Sequence, residues 1–254
     1  MVELLQPPVS ARRHPNLILH CGASSKSRNV IKRVPTPKGT ATWSPIPHIL
    51  LIEEVERALK ANGLKIASQA HSLTHDQSRY FGLMEVQNGE AHEDYAYVLG
   101  LRNSHDKRFP AGLVAGATVF VCDNLSFSGE IKIARKHTRF ILRDIPSLTQ
   151  DAIGRLMQRW HHQDERIVAY KGKNVTDRVA HDLIIRSTDV GAATPRQIPS
   201  ILKEWRDPKY QEFQTRNVWS LFNAFTEVAK GNLIELPRRT ERLHGLMDSF
   251  VGLN

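Results

Sequence analysis

Residues 64–101 read LKIASQAHSLTHDQSRYFGLMEVQNGEAHEDYAYVLGL. Two breaks divide this stretch into three runs. Thr74-His75-Asp76-Gln77 is polar and turn-like, and Asn88-Gly89 is a strong hairpin signal. The first run, 64–73, alternates imperfectly. The second, 78–86, carries Tyr80, Phe81, Leu83 and Val86, and the third, 94–101, carries Tyr95, Tyr97, Val98 and Leu99. Aromatic and branched residues bounded by turns predict three strands, and the short connections predict that they pair antiparallel in one sheet.

Upstream, residues 48–62 predict a helix. Ile49, Ile52, Val55 and Leu59 recur at spacings of three and four, and Gly63 follows as a stop. Residues 1–47 are punctuated by Pro7, Pro8, Pro15, Pro35, Pro37, Pro45 and Pro47 and read as a basic arm with little regular structure. Downstream, 110–120 is apolar and rich in glycine, and its period does not separate helix from strand. Residues 131–142 read as a further extended stretch. From Ser147 the pattern turns helical: Leu148, Ile153, Leu156 and Met157 suit one helix, with shorter ones at 177–185 and 199–205. A later helix carries Val218, Leu221, Phe222 and Phe225 and ends at Gly231. The expected class is α+β, an antiparallel sheet of three or more strands packed by helices, with a helical C-terminal part. The division is an arm at 1–47, an α+β core at 48–146 and a mainly helical part at 147–254.

Hydrophobic residues make up 41% of the 254, enough for a core. Lys and Arg number 35 against 26 Asp and Glu, a net charge of +9. The surplus favours a polyanionic partner, nucleic acid before an anionic membrane. The arm alone holds Arg12, Arg13, Lys26, Arg28, Lys32, Arg33 and Lys38 against Glu3 within residues 1–40. Such an arm suits phosphates or is a plain tail. No apolar run has membrane-spanning length and the N-terminus has no secretory pattern, so no membrane partner and a cytoplasmic location are expected. Cys21 and Cys122 are too far apart in sequence to suggest a CxxC or zinc site.

Lys132-Ile133-Ala134-Arg135-Lys136-His137-Thr138-Arg139 is the densest basic stretch, with Phe127 and Phe140 near its ends. Bases interleaved with aromatics suit a single strand, by phosphate pairing and base stacking. The alternative is a charged edge strand that resists aggregation. Arg102-Asn103-Ser104-His105-Asp106 follows the third strand. His105 and Asp106 are a conceivable acid–base pair, but adjacent side chains diverge, and a polar turn or nucleic-acid contact is the plainer reading. Twelve histidines invite a metal, yet His161 and His162 are adjacent and splay on a helix, and no HExxH or HxH occurs. Phosphate loops of the GxGxxG or GxxxxGK[ST] type are absent, so no cofactor is expected.

The run LGLRNSHDKRFPAGLVAGATVFVCDNLSFSGE, from Leu99 to Glu130, resembles the central signature of the domain-of-unknown-function 932 family of phage- and plasmid-like proteins. The lead-in Trp43, Pro45, Ile46 and Pro47, the segment Phe120, Val121, Cys122, Asn124 and Leu125, and the late run Asn217-Val218-Trp219-Ser220-Leu221-Phe222-Asn223 are similar to family motifs in the same order. The resemblance spans about residues 40–235 and, the family's activity being unassigned, implies no catalytic residue. The order of helix, meander and small-residue segment also resembles phage single-strand annealing proteins, which implies a homo-oligomer with a basic groove. These readings together give the leading expectation, a nucleic-acid-binding protein of a mobile element that favours single-stranded DNA. Arg102, Lys107, Arg108, Lys132, Arg135, Lys136 and Arg139 would hold phosphates. A counter-defence protein that binds a host protein, and an enzyme acting on nucleic acid or nucleotides through His105 and Asp106, are the alternatives.

Overall fold

The computed structural model describes residues 24–87, 95–119, 124–134, 137–231 and 235–253. Among these residues the class is α+β: one six-stranded antiparallel sheet and seven helices, with the C-terminal part helical. The strands are β1 (Ser24–Lys26), β2 (Lys65–Leu73), β3 (Arg79–Gln87), β4 (Tyr95–Ser104), β5 (Ala111–Val119) and β6 (Leu125–Ala134). Each pairs with its neighbour in sequence, so the sheet order is the chain order. The three predicted strands sit side by side as β2, β3 and β4. The ambiguous apolar run is a strand, β5, buried throughout. A run covered on both faces shows no alternation, which is why its period was uninformative.

Pleating divides the side chains between two faces. Tyr80, Met84 and Val86 of β3 share one face with Tyr97, Leu99 and Leu101 of β4 and Leu113, Ala115 and Ala117 of β5. Two helices cover this face. The first is α2 (His48–Ala61), which follows the short α1 (Arg28–Lys32). It buries Leu51, Ile52, Val55, Ala58 and Leu59, each large side chain contributing about 1.5–3 kcal/mol. Leu51 joins the stripe where Ile49 was expected, and Ile49 is only partly buried. Gly63 ends the helix with φ +74°, and the Leu64 amide turns back to the Leu59 carbonyl at 3.0 Å.

The second covering helix, α3 (Ile141–Gly172), runs 32 residues. Trp160 Nε1 donates to the Gly116 carbonyl at 3.1 Å, Gln163 Nε2 to Ser126 Oγ at 2.9 Å, and the Asp164 carboxylate accepts the hydroxyls of Tyr95 and Tyr97. This helix corrects two expectations. The extended stretch expected to Leu142 ends at Ala134, and the helix begins at Ile141, before Ser147. Pro146 lacks an N–H, yet Ile141, Ile145, Thr149, Ile153 and Leu156 carry the buried stripe straight through it. Met157, expected in that stripe, points to solvent.

The opposite face carries Phe81, Leu83, Val98, Val114, Leu125 and Phe127. The last helix, α7 (Leu236–Val251), closes it at β6, where Thr240 Oγ1 donates to the Phe127 carbonyl (2.9 Å) and takes the Phe127 amide (3.2 Å). Between α3 and α7 lie α4 (Asp177–Asp189), α5 (Ile198–Arg206) and α6 (Val218–Val228). Sequence reading missed α7 because Thr240 and His244 occupy stripe positions that apolar residues would have marked.

The arm is not wholly irregular. Residues 24–26 form β1 against His71–Leu73, and Ile31 of α1 is buried. The Arg28 guanidinium pairs with Glu56 and lies 3.8 Å from Glu53, so part of the arm's charge is neutralised within the fold. Arg12 and Arg13 lie outside the described residues.

Candidate nucleic-acid interface

The turn from β2 to β3, the turn from β4 to β5 and the connection from β6 to α3 meet at one end of the sheet, against the lead-in to α2. The segment 101–106 builds its centre. β4 continues through Ser104, so alternation sends Asn103 to the face under α2 and Arg102 to the other. Asn103 Nδ2 donates to the Ile46 carbonyl at 2.8 Å and lies 2.9 Å from His48 Nδ1. His105 Nε2 donates to the same Ile46 carbonyl at 2.9 Å, and His48 Nε2 to the Gln77 carbonyl at 3.2 Å. Carbonyls only accept, so both imidazoles carry their proton on Nε2, and His48 Nδ1 accepts from Asn103.

The two rings stack at 3.8 Å with an interplanar angle of 6°. Burial, and then the neighbouring His105, push His48 down to about 3; the bond to Gln77 opposes them. Burial likewise lowers His105, against the Ile46 bond and the Asp106 charge. His137 is pushed down to about 4 by burial and then by His105. It lies parallel to Trp43 at 6.4 Å, and neither of its ring nitrogens has a partner among the described residues. This is a neutral, closely packed cluster that fastens the α2 lead-in to β4.

Asp106 faces away from that cluster. Burial would raise its pKa, but bonds from Ser104 Oγ, Arg79 Nε and the Arg108 amide, with the Arg79 charge, hold it below the usual carboxylate value. The Arg79 and Ser104 bonds measure 2.7 and 2.6 Å. No hydrogen bond joins His105 to Asp106 among the described residues. Among those residues no three His, Cys, Asp or Glu side chains gather as metal ligands, and no helix is long and apolar enough to cross a membrane.

Around the cluster runs a cationic rim. Lys107, in the left-handed region at φ +62°, sets its ammonium 4.5 Å from the Trp43 ring centre. Arg108 is exposed beside it. Arg139 and Arg143 place their guanidiniums 4.5 and 4.8 Å from the ring centre of Phe140, which is 46% exposed. Arg102 lies on the opposite sheet face, 5.0 Å from the Phe109 ring, in a register row of Phe81, Arg102, Gly112 and Lys132 across four strands. Lys107, Arg108 and Arg139 thus come to one end of the sheet, with Arg102 and the Lys132 position on a face leading to it. Arg135 and Lys136 lie outside the described residues.

Two parts of the basic-stretch reading change. Phe127, paired with Phe140 as a flanking aromatic, is fully buried, its ring over Gly116 and Gly100. Arg139, within the stretch expected to be extended, lies past the end of β6, and Ile131 and Ile133 of that strand are buried. Trp43, His48 and His137 are the cluster members that spacing could not single out, because they reach His105 from two other segments, the start of α2 with its lead-in and the approach to α3.

The cluster and the rim fall within residues 39–243, which match the family model of a domain of unknown function, DUF932. The chain belongs to the DUF932 family. Two residues of the matched span do structural work: Ile46 accepts from Asn103 and His105, and Asn217 caps α6 through the Ser220 amide at 2.8 Å. No curated protein and no solved structure matches the chain.

Proposed function

We propose that this DUF932 protein binds single-stranded nucleic acid, DNA in preference to RNA, through the cationic rim at the end of its sheet. The observation that carries the reading is Phe140, an exposed aromatic attended by the guanidiniums of Arg139 and Arg143. Aromatic and guanidinium planes stack on unpaired bases, while the same cations neutralise phosphates. Lys107, Arg108 and Arg102 extend the surface, and Lys132, Arg135 and Lys136 belong to it by sequence. The net charge of +9 acts in the same direction. The role this suits is recombination, replication or maintenance of a phage, prophage or plasmid in the cytoplasm. There the protein would work as a homo-oligomer that anneals strands.

The test is fluorescence anisotropy with single-stranded DNA, duplex DNA and RNA of one length over a range of salt. Single-stranded DNA binds tightest under this reading. Arg139→Ala with Arg143→Ala lowers the salt slope by about 0.7 for each phosphate that the variant no longer neutralises. A slope unchanged in that double variant refutes the assignment. The second reading, a counter-defence protein binding a host protein, is favoured by Leu142, which is exposed close to Phe140 and makes the surface partly apolar. Weak, unselective DNA binding beside salt-insensitive capture of a protein would support it. The enzyme reading has less to stand on, since His105 and Asp106 make no hydrogen bond to each other.

A further inference from the structure

Helices α3 and α7 line a cavity of about 390 Å³, within the size range of small-molecule sites, about 300–1,000 Å³. Arg159, His162, Glu165 and Arg166 line it from α3, and Glu241, His244 and Asp248 from α7; Glu165 is 3.1 Å from His162 Nδ1. The hydrogen bonds fix the polarity of its deepest group. Asp248, held by Arg166 Nε at 2.8 Å, accepts the Tyr170 hydroxyl at 2.6 Å. The carboxylate at 2.6 Å takes the single hydroxyl proton ahead of the His244 carbonyl at 3.3 Å, so the Tyr170 oxygen accepts from His244 Nδ1 at 3.1 Å. His244 therefore carries its proton on Nδ1 and keeps a lone pair on Nε2, which has no partner among the described residues although the side chain is only 1% exposed.

Burial, and then the Arg166 charge, hold this imidazole neutral by lowering its pKa well below the ordinary value. It is an acceptor without a donor, and a buried acceptor left unpaired is costly. Glu241 adds a second acceptor, a carboxylate with no hydrogen bond or ion pair among the described residues. Across the cavity Arg166 engages Asp248 through Nε, and its fork carries further donors. An anion alone would leave His244 unmet and face Glu241 and Glu165, and a cation alone would face Arg159 and Arg166.

We propose that the cavity binds a small zwitterion of the α-amino-acid class. Its ammonium donates to His244 Nε2 and Glu241, and its carboxylate meets Arg166. The site is independent of the nucleic-acid reading.

Isothermal titration calorimetry of the whole chain tests it with L-leucine, L-glutamine and L-glutamate, each beside its N-acetyl and carboxamide derivatives. At least one amino acid binds saturably. Its N-acetyl form, which loses the ammonium, and its carboxamide, which loses the carboxylate, each bind about tenfold or more weakly. Glu241→Gln, an exposed change with no bond to break, weakens the amino acid similarly, while circular dichroism and DNA affinity stay at parent values. The proposal is overturned if none of the three amino acids binds, or if affinity is the same in Glu241→Gln and for the N-acetyl form.

Discussion

The side-chain amide of Asn124 donates to both the backbone carbonyl and the side-chain oxygen of Asn223, at 3.2 and 3.1 Å, across 99 residues of chain. Both residues are buried. They tie the start of β6 to α6, where Asn223 Nδ2 also donates to the Trp219 carbonyl at 3.0 Å. Asn124→Ala and Asn223→Ala should each cost about 1–3 kcal/mol, because each strands a buried partner. The double variant should cost less than the sum. Urea unfolding of the four proteins in the cycle measures the coupling, and strict additivity would show that the bond contributes nothing.

His137 makes the opposite prediction. A buried imidazole with two unpaired nitrogens is a liability, so His137→Phe, which keeps a ring against Trp43, should leave stability unchanged or raise it by about 1 kcal/mol. His105→Phe should lower it by about 0.5–1.5 kcal/mol, since the Ile46 carbonyl loses one of its two donors and keeps Asn103. A drop in melting temperature for His137→Phe would mean that the ring has a partner in solution.

The buried histidines set the acid response. His48 titrates near 3 and His137 near 4 in the fold, both below the unfolded value of 6.5. Between those limits the unfolded chain binds more protons than the native one. Stability is therefore full above about pH 6.5 and falls as pH drops, until about 4 for His137 and about 3 for His48, by up to about 1.4 kcal/mol per pH unit for each group. Melting temperature followed from pH 8 to pH 4.5 should decline on the acid side, and His137→Phe should flatten the decline. An identical pH profile for the variant would contradict the assignment.

Glycine positions separate packing from propensity. A Cβ on Gly116 would lie 2.4 Å from the Ser126 carbonyl and 2.6 Å from the Phe127 ring, whereas one on Gly154, exposed on α3, meets nothing within 4 Å. Gly116→Ala should cost about 1–3 kcal/mol or more by overpacking, and Gly154→Ala should add about 1 kcal/mol by helix propensity. Thermal melts of the two variants check both signs.

Phe140→Ala tests the stacking part of the proposed interface. It should weaken single-stranded DNA by about 1–3 kcal/mol per stacked base, and duplex DNA far less. Equal losses on both probes would indicate that the ring only supports Arg139 and Arg143.

Much of the fold was legible because it is local. Strands β2 to β4 are separated by short turns, and α2 carries its stripe between Pro47 and Gly63. The failures have physical causes. Pro146 lacks an N–H yet α3 runs through it, β5 is buried on both faces, and Thr240 and His244 interrupt the stripe of α7. The candidate interface was legible as composition: Lys107, Arg108 and Arg139 do come to one end of the sheet. Its centre was not, because the stack of His48 on His105 depends on a carbonyl, Ile46, that nothing in a pattern of side chains reveals.

The order of strands in the sheet bears on how the chain is made. A ribosome releases residues from the N-terminus, and here each strand from β3 to β6 can add to a neighbour already synthesised. The sheet can therefore grow by successive short hairpins, a cheap series of loop closures. Its first strand, β1, waits for β2 to emerge some 45 residues later, counting from Lys26 to His71. The bond from Asn124 to Asn223 closes only after α6 has left the tunnel. Until α7 follows it, the β6 side of the sheet lacks its cover, and that interval is where a nascent chain of this protein is most exposed to misassembly.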